Sequence, residues 1–511
     1  GGSKKPSKST GADPVKKLVP NKRASPPSTV LGVLNTFDAN FNLHIKSAVY
    51  KGTPVKDLVA EGMLYNGALD LKRLSVGRLA GASVRMSGKL AGLSSVPEAK
   101  NIRFSAKAPD LAAIGRMSGP KLPPLAKKLG AASIKGRLDG SLLAPTVDAA
   151  LGLAGAAVTY RGRISAMSTS DMLSGKFTLR HRNLPKLLRR LGINYRPAGR
   201  IGGIDLTAAI KGGAETINLS AIQGRIGKTS LGGSLSAQFT GTKPHVKADL
   251  KTSALNIEHF LPSQKNAAIK KLLPTLVPAS WRGPLKPAFG RSPNLHFAAR
   301  GKWSTKPLDL SALHLLNADI ALKAPIVIYG RYLAEQTNII GKITNGVLDL
   351  ERFSGRIFGG ALSGRAQAAA DSNSFASSVR VSGLNIEDAL KAVTGEAAAN
   401  GKMDIAFDIN SSGRNVANMI SALDGKANFS ITGMDVDKAV QGSLLSGFLG
   451  LFTSLNQLGG KAANDKASVS ASFDIARGIA TTRDLKLAST PGNGAAVGSI
   501  NLPNWTIDIK G

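Results

Sequence analysis

The stretch GVLDLERFSGRIFGGALSG at Gly346–Gly364 returns almost unchanged at Gly67–Gly88 as GALDLKRLSVGRLAGASVRMSG. Gly67, Leu69, Asp70, Leu71, Arg73 and Ser75 match Gly346, Leu348, Asp349, Leu350, Arg352 and Ser354. After one extra residue, Gly77, Arg78 and Gly81 match Gly355, Arg356 and Gly359. Each copy reads as a strand, a short turn and a second strand that ends at glycine. A strand is expected before each copy as well, led by Phe37–Ile45 in the first case and spanning Asn294–Arg300 in the second. A chain that copies a β unit is built as an array of such units, and this constrains the fold before anything else does.

The alternation of side chains supports the same reading. Ala39, Phe41, Leu43 and Ile45 fall on one side and Asn40, Asn42, His44 and Lys46 on the other, the period of two of a half-buried strand. It recurs at Ile102/Phe104/Ala106, Ile204/Leu206/Ala208/Ile210, Met403/Ile405/Phe407/Ile409, Val469/Ala471/Phe473/Ile475 and Trp505/Ile507/Ile509. A second recurring unit runs from a strand into a short helix, starting at Phe104, Phe177, Ala248 and Val379. In each, Asp110, Asn183, Asn256 or Asn385 stands where a side chain caps a helix N-terminus. These helices, expected to be two to three turns long, are too few to cover the sheet.

That mismatch sets the fold class. Roughly two dozen strands at about 4.8 Å each make a sheet on the order of 100 Å long, apolar on one side. A closed barrel of that size needs a lipid-facing outer band, and open sheets of more than about ten strands curl. The expected fold is mainly β: a long, curled, largely antiparallel repeat sheet forming an open apolar groove, with a few short amphipathic helices. Phe41, Leu43, Ile45, Leu348, Leu350, Ile405, Phe407, Ile409, Phe473 and Ile507 are the expected lining. Small residues between them leave room for a ligand. An acyl chain suits such a groove, since its burial is worth about 0.8 kcal/mol per methylene.

Three regions are expected. Residues 1–29, rich in Lys, Ser and Pro, read as a disordered basic linker or tail. Residues 30–296 form a basic repeated β-groove region with short helices, and 297–511 a second β-groove region continuous with it. Six prolines between 262 and 294 leave open whether the groove is one gutter or two. The net charge of +35 lies almost entirely before residue 301 and is densest at Arg180–Arg200, where no acid falls between Asp171 and Asp205. Arg180, Arg182, Lys186, Arg189 and Arg190 are candidates for contact with anionic head groups or a membrane surface. A solvated face that keeps the sheet soluble is the plainer alternative. Between Lys438 and Lys461 an uncharged amphipathic helix is expected, with Leu444, Phe448 and Phe452 on its stripe as a plug or lid.

Catalytic readings do poorly. The chain has no cysteine, its six histidines lack metal-ligand spacing, and no nucleophile is accompanied by a base. GKTS at Gly227–Ser230 resembles a phosphate loop, but Ile222 stands where that motif needs glycine. No enzyme activity, cofactor or metal is expected. No run of 18 apolar residues occurs, and the first residues lack the apolar centre of a signal peptide.

With these features in hand, the order of strand, G-x-L-x-L, G-G-x-x-x-G turn and short helix resembles the AsmA family. It is followed by NGKMDIAFDINSSGRNVANMISALDGKANFSITGMDVDKAV and SINLPNWTIDIKG. The likeness is strongest over 297–511, where Gly346–Gly364, the Leu423-Asp424-Gly425 turn, the Leu444–Leu458 helix and the Gly498–Trp505 strand fall in the family's order. A looser copy covers about 30–91. The resemblance implies a periplasmic protein of Gram-negative bacteria, anchored to the inner membrane, whose β-groove carries phospholipid toward the outer membrane. Because the family's N-terminal membrane helix is missing and its C-terminal continuation absent, the chain is expected to be a fragment. Phospholipids, the two membranes and a further protein of the periplasm or outer membrane are the implied partners. A scaffold that pairs its sheet edge with a client strand is the alternative. Nucleic-acid binding by the basic half is the weakest reading, since aromatics make up only 5% of the chain and no recognition module is visible.

Overall fold

The computed structural model describes residues 38–50, 52–93, 96–111, 130–193, 195–261, 295–298, 303–394, 400–435, 466–489, 492–504 and 506–510. All 26 strands among the described residues belong to one sheet. β1 (Ala39–Tyr50), β2 (Thr53–Tyr65), β3 (Ala68–Leu79), β4 (Ala82–Ala91), β5 (Glu98–Ala108), β6 (Ala132–Ser141), β7 (Thr146–Leu153), β8 (Ala156–Ile164) and β9 (Leu173–His181) pair in chain order. Helix α1 (Leu184–Arg190) then leads to β10 (Ile204–Gly212), β11 (Thr216–Ile226), β12 (Thr229–Gln238), β13 (His245–Thr252) and the two-residue β14 (Leu255–Asn256). Every one of these consecutive pairings from β1 to β13 is antiparallel.

The second half continues the same sheet. After β15 (Leu295–Ala298) come β16 (Asn317–Tyr329), β17 (Tyr332–Thr344), β18 (Val347–Ile357), β19 (Gly360–Ala369) and β20 (Ser374–Asn385). Helix α2 (Ile386–Thr394), β21 (Lys402–Ser412), helix α3 (Val416–Ser421) and β22 (Asp424–Asp435) follow. The last strands are β23 (Lys466–Ala476), β24 (Ile479–Ser489), β25 (Gly492–Asn501) and β26 (Thr506–Lys510). β16 lies parallel to β13, Leu250 opposite Leu322, and β14 extends that lane opposite Val327 and Ile328. The two halves are therefore joined edge to edge in one sheet; residues 262–294 lie outside the described residues. From β16 to β26 the pairing is again antiparallel, and β15 closes the sequence against β26. β1 and β15 are the two edges, about 115 Å apart at about 4.8 Å per strand.

The repeat is larger than its most similar stretch. β1 to β4 and β16 to β19 are matching four-strand units, and both have a bulge at the same place, between Leu71 and Leu74 and between Leu350 and Phe353. The one extra residue of the first copy is absorbed in a second irregularity, between Val76 and Leu79. The strand expected at Asn294–Arg300 is thus a correction. Residues 295–298 do form a strand, but it pairs at the far edge with β26, and β16 is the true counterpart of β1. Bulges of this kind recur through the sheet and increase its local bend and twist.

The helices are shorter and placed differently than expected. Asn183, Asn256 and Asn385 do cap, accepting from the amides of Lys186, Glu258 and Glu387 at 2.9, 3.1 and 3.0 Å. After Asn256, however, the helix is a single 3-10 turn at Ile257–His259. Asp424 and Gly425 open β22 instead of forming a turn, and Asn415 caps the unforeseen α3 just before them. Of the Gly498–Trp505 stretch, 498–501 end β25 and 502–504 form a turn, while Trp505 lies outside the described residues. No helix among the described residues is long and apolar enough to cross a membrane. Residues 1–37, including the expected tail, and the segment carrying Leu444, Phe448 and Phe452 lie outside the described residues.

Candidate functional site

Side chains paired across a sheet point to the same face, so the register shows which residues share a surface. From β1 to β10 one row reads Leu43, Ala60, Leu74, Met86, Phe104, Gly136, Ala149, Tyr160, Phe177 and Ala208. The corresponding row from β13 to β23 reads Leu250, Leu322, Ile339, Phe353, Gly364, Val379, Phe407, Ala427 and Phe473. Leu206, Gly224, Leu231 and Thr252 carry the same face across the strands between. The opposite face reads Ser75, Arg85, Ser105, Lys135, Ala150, Thr159, Thr178, Thr207 and Gln223, then Lys251, Lys323, Asn338, Ser354, Ser363 and Arg380. One side of the whole sheet is apolar and the other polar.

The ten side chains expected to line a groove all fall on this apolar face. Phe41 and Ile45 flank Leu43 on β1, and Leu348 and Leu350 stand opposite Ala368 and Ala366. Ile405 and Ile409 flank Phe407, and Ile507 lies opposite Ile500. Their burial differs along the sheet. Leu43 remains 47% exposed, whereas Phe473 is 7% exposed and stacks on Phe429 with ring centroids 6.1 Å apart. The C-terminal end of the face is a packed cluster in which Ile386 of α2 meets Met434, Val469, Phe473 and Leu487. Elsewhere most lining residues are half-buried, as expected where only sheet neighbours cover them. Tyr160, a row member with a polar tip, donates its hydroxyl to the Arg163 carbonyl at 2.7 Å.

Small residues punctuate the row: Ala60, Gly136, Ala149, Ala208, Gly364 and Ala427 stand beside Leu, Met and Phe. At Gly136 and Gly364 the missing side chain makes room for the rings of Phe104 and Phe353, whose Cζ atoms lie 2.8 and 2.6 Å from where a Cβ would stand.

Four of the five predicted head-group residues converge at one end of β8, β9 and β10. The chain leaves β9 at His181, forms α1 and re-enters at Ile204. Asn183 and Pro185 start the helix, and Leu187 anchors it against Ala154, Ala156, Leu179 and Ile204. Arg180, Arg182, Lys186 and Arg190 then line a pocket of about 690 Å³ with His181, Asn183, Asp205, Gly155, Ala157 and Ile204. Lys186 and Arg190 share one stripe of the helix at i and i+4. Arg189 is exposed and lies outside the lining. Arg180 pairs with Asp205 at 3.0 Å. Among the described residues Arg182, Lys186 and Arg190 have no carboxylate partner. His181 Nδ1 accepts from the Asn183 amide at 3.0 Å, so a neutral ring carries its proton on Nε2.

His245 and His314 face Asp319 and Asp371 at 3.0 and 3.2 Å, and no cluster among the described residues could hold a metal ion. Gly227 sits in the turn between β11 and β12, which no helix follows.

A family model for the AsmA family matches residues 155–485, from the first glycine of β8's turn to β24. The chain belongs to the AsmA family. The match covers the basic pocket, the parallel seam and the second four-strand unit, and so begins well before 297; the first unit, β1 to β4, lies outside it. The AsmA family is associated with the bacterial envelope. No curated protein and no solved structure matches the chain significantly.

Proposed function

We propose that this AsmA-family chain is a binding protein that conducts phospholipid between the inner and outer membranes, not an enzyme. The observation that carries this reading is the unbroken apolar row, which continues across the parallel seam from one half of the sheet to the other. Its length of about 115 Å is far greater than any single ligand needs, and suits a path along which many ligands follow one another. A lipid tail of about sixteen carbons laid on the face recovers on the order of 10 kcal/mol on leaving water. Where the row is open the gain recurs from strand to strand, so a tail can pass from one position to the next. The head group stays at the lip, in water. The protein acts in the periplasm, at the inner membrane, and supports outer-membrane lipid homeostasis.

The test is mass spectrometry of lipids extracted from the purified chain, beside a variant carrying Leu350→Asp, Ile405→Asp and Phe407→Asp. Phospholipid present in the wild type and lost from the still-folded variant is the expected result. A second reading, a scaffold for outer-membrane protein assembly, has the outer edge of β1 in its favour, where 12 residues of backbone meet no other strand among the described residues. A folded wild type free of lipid that captures an extended peptide along β1 favours that reading instead.

A further inference from the structure

The pocket beside α1 joins the two faces of the sheet, and that position distinguishes it from an ordinary basic surface. Arg180 pairs in register with Ala157 and Asp205, on the polar side, while His181 pairs with Ile204 on the apolar side. All of them meet where β8, β9 and β10 end. The buried Leu187 fixes α1 over the apolar residues Leu179 and Ile204, which leaves Lys186 and Arg190 on the wall of the pocket. Gly155 completes the fit. A Cβ there would lie 3.3 Å from both Arg190 Nη1 and His181 Nε2, so the guanidinium sits close against the turn.

Charge and shape select the ligand class. Four cationic side chains face one carboxylate, Asp205, which Arg180 already engages. Three cations with no carboxylate partner converging on one cavity repel one another and are relieved by an anion. A phosphate offers several oxygens to guanidinium and ammonium donors at once. A cavity of about 690 Å³ exceeds what a bare phosphate needs, and its lining includes Ile204, a residue of the apolar face. We propose that this pocket docks the phosphate of a glycerophospholipid whose acyl chains lie on the adjacent apolar face. The inference rests on the conduit reading and adds to it a fixed station for the anionic head group.

The test uses the full chain and two fluorescent lipids with identical acyl chains, labelled phosphatidylglycerol and labelled diacylglycerol, with inorganic phosphate as a third probe. The wild type is expected to bind phosphatidylglycerol about tenfold more tightly than diacylglycerol. Lys186→Gln with Arg190→Gln, which keeps good helix formers on an exposed face, is expected to erase that preference and leave diacylglycerol binding unchanged. Lys186→Arg with Arg190→Lys is expected to keep it. Equal binding of the two lipids by the wild type leaves the conduit reading in place and overturns the docking site. Binding of neither lipid overturns both. Inorganic phosphate bound in the pocket without any preference between the lipids assigns the site to free phosphate and likewise overturns the proposal.

Discussion

The Asn317 side chain accepts a hydrogen bond from the Asn345 amide at 2.9 Å, and 28 residues separate the two. In the first copy of the repeat, Asp38 accepts from the Asn66 amide at 3.0 Å across the same 28 residues. Asn345 and Gly346 have φ of 49° and 88°, and Asn66 and Gly67 of 47° and 65°. Two consecutive left-handed residues make the two-residue hairpin turn that matches strand twist, and Asn-Gly is its preferred pair. The first residue of such a turn aims its amide away from its own hairpin. The start of the strand on the other side of the pair supplies the acceptor.

Replacing Asn317 with Ala removes that acceptor and is expected to cost about 1 kcal/mol locally. Hydrogen exchange at the Asn345 amide should rise by roughly fivefold, with exchange in β22 to β24 unchanged. Asn317→Asp keeps the acceptor, as Asp38 shows in the first copy, and should exchange like the wild type.

Gly341 and Gly62 occupy equivalent places in the two units, and each lies against a neighbouring backbone. A Cβ on Gly341 would stand 2.7 Å from the Asp349 carbonyl oxygen and 2.9 Å from Leu350 Cδ2; on Gly62 it would stand 2.6 Å from the Asp70 carbonyl oxygen. Gly341→Ala and Gly62→Ala are each expected to destabilise the sheet by about 1–3 kcal/mol. Gly232→Ala meets its nearest backbone atom, the Ile222 oxygen, only at 3.4 Å, and is expected to stay within about 0.5 kcal/mol of wild type. Urea midpoints of the three variants check this ordering.

The apolar face was legible because Phe41, Leu43 and Ile45, and again Ile405, Phe407 and Ile409, alternate strictly with polar neighbours. Strand pairing beyond hairpins was not. Residues 294–300 alternate as well as β16 does, and nothing local tells an edge strand from an internal one; the discriminating sign was Asp38 and Asn317, each 28 residues before its turn. The parallel seam is invisible for a similar reason, since β13 and β16 are separated by more than sixty residues and pair by shape of the whole array. The basic residues were readable as a cluster. Their convergence was not, because it depends on α1 folding back through Leu187, and so Arg189 was grouped with neighbours from which the helix turns it away.

Three carboxylates among the described residues are held low by hydrogen bonds. Asp139 is held below the usual carboxylate range by the Arg137 side chain and the Asn101 amide, and Asp309 by the hydroxyl and amide of Ser311. Asp484 is held low by the Ser472 amide, which donates at 2.8 Å. A carboxylate whose folded pKa is depressed contributes stability above its unfolded pKa and loses it as pH falls through the folded value. The thermal midpoint is therefore expected to be flat near neutrality and to fall below about pH 4. Asp484→Asn, which keeps an acceptor oxygen but cannot titrate, should lower the midpoint slightly at pH 7 and make its fall in acid shallower. An unchanged acid slope in that variant removes Asp484 from the set.

Neighbouring residues of β19 separate the two faces most cleanly. Ala366 lies between Leu350 and Ser377 on the apolar side, and Gln367 between Asp349 and Ala376 on the polar side. Both are strand positions away from the turns, so a bulky aromatic at either meets similar backbone demands. Ala366→Trp puts a large ring across the apolar face beside Leu350, where an acyl chain has to pass. Gln367→Trp puts the same ring into solvent on the opposite face. If the face is the route, transfer of labelled phospholipid between donor and acceptor vesicles should fall at least about fivefold in the first variant and stay within about twofold of wild type in the second, a difference in barrier of roughly 1 kcal/mol or more. Circular dichroism should be the same for both. Because the ring obstructs passage without abolishing apolar contact, lipid still co-purifies with Ala366→Trp, which separates blocked transport from lost binding. Equal transfer by the two variants and the wild type would mean that lipid does not travel along this side of the sheet.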